Sequence, residues 1–142
     1  MTRDEIVAMF ERRNADWNRH DPAAMASYHE EDAVGESPIQ GKMHGRKSIQ
    51  DGYTKWLTAF PDVTMVTDDI VVEGNRVAQF FTMSGTQKGP FGGLPATGRK
   101  FQISGVFFAT LSHNGRIAQD KRLYDVTNML VQLGALKTKP AN

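Results

Sequence analysis

A chain without cysteine must draw its chemistry from carboxylates, imidazoles, amines and hydroxyls, and this chain of 142 residues has no cysteine. Thiol nucleophiles, thiolate metal sites and disulfides are thereby excluded, and the redox compartment is left undetermined. The four histidines, His20, His29, His44 and His113, lack the paired helical spacing and the carboxylate neighbours of metal motifs, so no metal is expected. Asp125 stands where an alternating segment gives way to a helical one. Held in an apolar pocket, such a carboxylate would lose hydration, its pKa would rise, and it could move protons near neutrality. The same position also suits the N-cap of a following helix.

The segment before Asp125 decides what would surround it. Strict alternation puts Ile117, Gln119, Lys121, Leu123 and Asp125 on one face, with Asp120, Arg122 and Tyr124 on the other. Gln119 and Lys121 would then line Asp125's side and could steady an oxyanion, unless a bulge breaks the alternation or Lys121 lies on a solvated rim. Tyr28, Tyr53 and Trp56, from segments expected to be helical, together with Phe107 from an extended one, could form flat walls for an aromatic ligand. The competing reading of such residues is plain core.

The elements that must position these side chains follow from periodicity. Thr2 with Glu5 reads as a capping box, and Ile6, Met9, Phe10 and Trp17 recur at helical spacing, predicting a helix over about Arg3 to Arg19. Asp21-Pro22 opens a second, short helix over Ala23 to Tyr28, and Ile49, Tyr53, Trp56, Leu57 and Phe60 mark a third that ends at Pro61. A short extended piece is expected around Ala33 to Glu36. From Val63 the period becomes two. Strands are expected over Val63–Glu73, Arg76–Thr86, Arg99–Ser112 and Arg116–Asp125, joined as an antiparallel meander by Gly74-Asn75, a Gly-rich stretch and Asn114-Gly115. Gly105 inside the third long strand predicts a bulge or bend. Val126 to Leu133 should form a last helical turn closed by Gly134. The glycines from 89 to 98 precede no helix, so a hairpin connection over the pocket mouth fits better than a phosphate loop.

Length and composition fit one globular domain, over residues 1–135, with a polar tail over 136–142. Seventeen basic and sixteen acidic residues are interspersed, leaving no basic stripe for nucleic acid. No secretory signal and no run of about 20 apolar residues is present, which predicts a cytoplasmic protein without a membrane partner. Helices can cover only one face of the sheet, while the third long strand is apolar on both faces near its end. That predicts a homodimer through the sheet.

Specific blocks carry the reading further: Phe60-Pro61-Asp62; Gly85-Thr86 with Gly89, Phe91 and Gly93; Pro95-Ala96-Thr97-Gly98-Arg99; Gly115-Arg116-Ile117; and Asp125 with Gln132-Leu133-Gly134. Their order and spacing over roughly residues 10 to 134 resemble the SnoaL-like polyketide cyclase family of the nuclear transport factor 2-like superfamily. The resemblance implies an α+β cone, with N-terminal helices packed on a strongly curved antiparallel sheet enclosing a pocket. It implies cofactor-free acid/base chemistry, of the aldol cyclisation or isomerisation type, on a hydrophobic carbonyl-containing small molecule. Asp125 matches the family's acid/base aspartate. Gln87 stands where members commonly carry histidine, and the strand from Arg99 to Leu111 lacks the histidine that the cyclases use. The same fold also serves as a non-catalytic ligand-binding or protein-interaction module. Epoxide hydrolysis, ranked lower, needs two carboxylates flanking an arginine.

Overall fold

The structure is a computed structural model and describes residues 1–137, so most of the expected polar tail lies outside the described residues. Helix α1 (Arg3–Asn18) begins with the expected capping box: Thr2 Oγ1 accepts from the Glu5 amide, and Glu5 Oε1 accepts from the Thr2 amide. Helix α2 (Pro22–Ala26) is capped by Asp21. Helix α3 (Arg46–Ala59) starts behind Gly45 without a side-chain cap and stops where Phe60 meets Pro61.

Strands β1 (His29–Ser37) and β2 (Gly41–His44) lie between α2 and α3. After α3 come β3 (Thr64–Glu73), β4 (Arg76–Thr86), β5 (Lys100–Leu111) and β6 (Ile117–Tyr124), then α4 (Val126–Gln132). The sheet order is β2-β1-β6-β5-β4-β3. The meander β3 to β6 is antiparallel as expected, but β1 joins it in parallel to β6, so the sheet is mixed rather than purely antiparallel. Only the short extended piece around Ala33 had marked β1. The parallel partner is a long-range pairing that local alternation does not encode.

The curved, open sheet wraps its concave face around α1 and α3. Phe10, Met25, Ile49, Tyr53, Phe60, Val77, Phe101 and Phe107 are buried between them. Gly105 makes no bulge: its pairs Phe81 and Tyr124 are in regular register. It is glycine because a Cβ there would lie 2.6 Å from the Leu123 carbonyl oxygen and 2.7 Å from Phe81 Cζ. The register shifts fall elsewhere, between His29 and Val34 in β1, at Asp68 in β3 and at Ala118 in β6.

The family-like blocks turn out to be clamps. Asp62 accepts from both the amide and the hydroxyl of Thr86, at 2.7 Å each, tying the α3–β3 turn to the end of β4. Gln87 is buried and staples the glycine-rich connection, donating to the Pro95 carbonyl and accepting from the Thr97 hydroxyl at 3.1 Å each. Gln132 pairs its amide with the Gln102 backbone, holding α4 against β5. Phe91 of the connection packs at a tilt against Trp56, with ring centroids 4.5 Å apart.

Candidate functional site

The Ala118 bulge sets the site. It puts two residues opposite one on β5, so Ile117 points inward and the next inward residues are Asp120 and Arg122, the reverse of the expected faces. Gln119 and Lys121 are exposed on the outer face. Asp125 lies beyond the strand, is exposed, and accepts the Asn128 amide at 2.9 Å as the N-cap of α4. The expectation of a desolvated catalytic Asp125 flanked by Gln119 and Lys121 is therefore corrected. Tyr28 is half-buried and donates to Asp16 Oδ2 at 2.6 Å, which makes it a brace for α1 rather than a cavity wall.

Inside the cone is a cavity of about 30 Å³, lined by Arg13, Trp17, Tyr53, Trp56, Phe107, Arg122 and Tyr124, with Met65, Phe81, Met83 and Ile103 completing the wall. Of the residues singled out in the sequence, Tyr53, Trp56 and Phe107 meet here. Arg13, His29, Asp120 and Arg122 had not been assigned to a site. Arg13 alone offered a signal, falling on the apolar stripe of α1 between Phe10 and Trp17.

Tyr53 is the hub. Its hydroxyl oxygen accepts from Arg13 Nη2 at 2.7 Å and from Arg122 Nη2 at 3.4 Å, and lies 2.8 Å from His29 Nε2. Guanidinium groups only donate, so the phenolic hydrogen points to His29 Nε2, and the remaining imidazole hydrogen sits on Nδ1. Nδ1 faces Asp120 Oδ2 at 3.7 Å, beyond hydrogen-bond range. His29 is fully buried, and burial, reinforced by the charges of Arg13, Arg122 and Arg46, holds its pKa well below the usual value. It is thus neutral, and its contact with Asp120 is dipole to charge.

Asp120 accepts from Arg122 Nε at 3.0 Å and from Nη2 at 3.4 Å. Burial works against the Arg122 charge, but Asp120 and the neighbouring phenols outweigh it and leave the pKa above its usual value. Gly35 on β1 makes room for the carboxylate, since a Cβ there would lie 3.0 Å from Asp120 Oδ2. Arg13 packs its guanidinium over Phe107, 3.9 Å from the ring centroid, and reaches Gln79 Oε1 at 3.4 Å. The Tyr124 hydroxyl lies against the Ile39 backbone and the Ser37 hydroxyl; burial pushes its pKa up to about 12, and those two groups pull it the other way. Among the described residues no His, Asp and Glu cluster could hold a metal ion, and no helix is long and apolar enough to cross a membrane.

The model of the SnoaL-like polyketide cyclase family matches residues 8–133. The chain belongs to this family. Solved structures share its fold. TsrD from Streptomyces laurentii is similar at 27% identity, with 96% of this chain and 99% of that one covered and a TM-score of 0.86. AclR from Streptomyces galilaeus, a proposed hydroxylase, is similar at 25% identity, with 98% and 87% covered and a TM-score of 0.84. IdmH from Streptomyces antibioticus, a proposed polyketide cyclase, is similar at 27% identity, with 92% and 97% covered and a TM-score of 0.73. A search of curated proteins returned no match. The SnoaL-like blocks of the sequence lie away from the cavity wall, so membership speaks to the cone and leaves the chemistry to the residues lining it.

Proposed function

We propose that this SnoaL-like protein is a cofactor-free acid/base enzyme acting on a small carbonyl compound, with Tyr53 as the group that exchanges the proton. One observation carries the reading: a phenol on the cavity wall receives two guanidinium donors and stands 2.8 Å from a buried imidazole nitrogen. In the forward step the Tyr53 proton passes to His29 Nε2, and the phenolate removes a proton from carbon beside a carbonyl. The enolate charge falls on an oxygen facing the guanidinium groups. The imidazolium formed is next to Asp120. When the enolate carbon attacks a second carbonyl, the new alkoxide takes its proton back from Tyr53, and His29 returns the proton it held. Arg122 and Asp120 position the hub.

A cavity of about 30 Å³ admits only the reacting end of such a ligand, so a larger molecule needs the aromatic walls to part. That small volume favours a second reading, a ligand-binding module without turnover. The epoxide hydrolase alternative finds one carboxylate, Asp120, beside Arg122. The other buried one, Asp16, is occupied by Arg19 and Tyr28.

With an enolisable diketone as substrate, Tyr53→Phe and His29→Gln should each lower kcat by about 10²-fold or more, the range for general acid/base groups. Asp125→Asn should leave kcat within about twofold. Full activity in Tyr53→Phe, or loss in Asp125→Asn with the fold intact, would remove the reading. The proposal extends to assembly: the outer face of β3 to β6 exposes Val66, Val71, Phe80 and Leu123, a surface suited to a second copy of the chain.

A further inference from the structure

The charges around the cavity do not balance. Two guanidinium groups line it, and Arg13 is 1% exposed. Asp120 is the carboxylate paired with Arg122, and among the described residues Arg13 has no ion-pair partner. Asp16, one turn further along α1, is already paired with Arg19. His29 is neutral and brings no negative charge. The contacts that hold Arg13, namely the Tyr53 hydroxyl, the Gln79 carbonyl oxygen and the Phe107 ring, are all neutral.

A buried cation without a counter-charge is costly, because neutral dipoles replace hydration only in part. Around the same cavity two more donors are unused: Arg13 Nε and Trp17 Nε1 are buried without partners. A donor-rich, acceptor-poor cavity with a surplus positive charge fits one kind of ligand group, an anionic oxygen. Water alone would satisfy some donors and leave the charge.

We infer that the ligand of this cavity is an organic acid, a carboxylate or ionised enol whose anionic oxygen seats against Arg13 Nε with Trp17 Nε1 as a further donor. The inference rests on the proposed small-molecule site and adds the charge of its ligand. It also divides the arginines: Arg122 is neutralised by Asp120 and shapes the hub, while Arg13 holds the ligand's charge. The cavity of about 30 Å³ takes the acidic end of a molecule, and the remainder enters where the aromatic walls part.

Both tryptophans of the chain, Trp17 and Trp56, line the cavity, so intrinsic fluorescence reports on it directly. The test titrates the whole protein with propionate and with propionamide, its neutral isostere, at constant ionic strength. Propionate should give a saturable change with a Kd at least about tenfold below that of the amide. Arg13→Gln should bring the two within about twofold, and Arg13→Lys, which keeps the charge, should restore part of the preference. In the wild type, lowering the pH through the propionic acid pKa should weaken binding in step with the ligand's own protonation, an arm that needs no variant. Equal binding of acid and amide, an undiminished preference in Arg13→Gln, or no saturation by about 100 mM propionate would each overturn the inference. His29→Gln separates it from the proton-transfer reading: His29 neither lines the cavity nor bonds Arg13, so that variant should keep the propionate preference while losing turnover. Retained turnover with the preference intact removes the catalytic reading and spares this one.

Discussion

At the scale of single residues, what matters is which polar side chains the cone withdraws from water. His29 is buried as a neutral imidazole, and its folded-state pKa lies well below the 6.5 of an ordinary histidine. Below about pH 6.5 the unfolded chain therefore binds a proton that the native state refuses, so stability rises with pH up to that point and then levels. One such group sets a limiting slope of about 1.4 kcal/mol per pH unit. Urea unfolding of the wild type should show the midpoint falling between about pH 6.5 and 5, and His29→Gln should flatten that fall. An identical slope in both proteins would mean that His29 titrates freely. The candidate site side chains were poorly legible in the sequence for a related reason. A buried Arg13, His29 or Asp120 looks like any surface charge until its neighbours are known, whereas Tyr53, Trp56 and Phe107 stand out because large aromatic side chains tend to be buried.

At the scale of elements, helix boundaries and the four long strands were legible because caps, Pro61 and turn pairs are local signals. The face of β6 was not. A single bulge at Ala118 moves Asp120 and Arg122 inward and Gln119 and Lys121 outward, and nothing local marks an alanine as bulged. Parallel pairing of β1 with β6 is equally silent in the sequence, yet it delivers His29 to Asp120. Gly105 misled in the opposite direction, since it marks close approach without a bend. Its missing side chain lets Phe81 and Tyr124, both on the cavity wall, pack against β5. Gly105→Ala should cost about 1–3 kcal/mol by overpacking, measured as a lower urea midpoint, and should also disturb Trp56, which packs edge-on to Tyr124 at 5.7 Å. A neutral effect on both stability and tryptophan emission would show that β5 and β6 can separate at no cost.

At the scale of the molecule, the blocks that make the chain recognisably SnoaL-like are those that close the cone, Asp62 on Thr86, Gln87 on the 95–97 loop and Gln132 on Gln102, which is why the fold could be read so far ahead of the chemistry. The convex face of the sheet raises a separate question of assembly. Phe80, Val106 and Leu123 form one register row across β4, β5 and β6, and Val66, Val71, Ala78 and Phe108 flank it on the same side. Phe80 is 44% exposed and Leu123 50%, a continuous apolar strip that no helix among the described residues covers. Lys121, Gln119, Lys42 and Glu36 supply a polar border, the pattern of an interface core with a rim. Burying the strip against a second copy removes it from water on both partners at once, and each fully buried large apolar side chain contributes about 1.5–3 kcal/mol. Sedimentation of the wild type at about 10 μM, a concentration that a Kd of about 1 μM would convert largely to dimer, should give twice the single-chain mass. Phe80→Asp puts a charge at the centre of the strip and should yield a monomer with unchanged circular dichroism. A monomeric wild type, or a Phe80→Asp variant that stays dimeric, would place any partner surface elsewhere. Because the strip lies on the sheet face opposite the cavity, the monomeric variant should keep the Trp17 and Trp56 emission of the wild type, which separates loss of assembly from loss of the site.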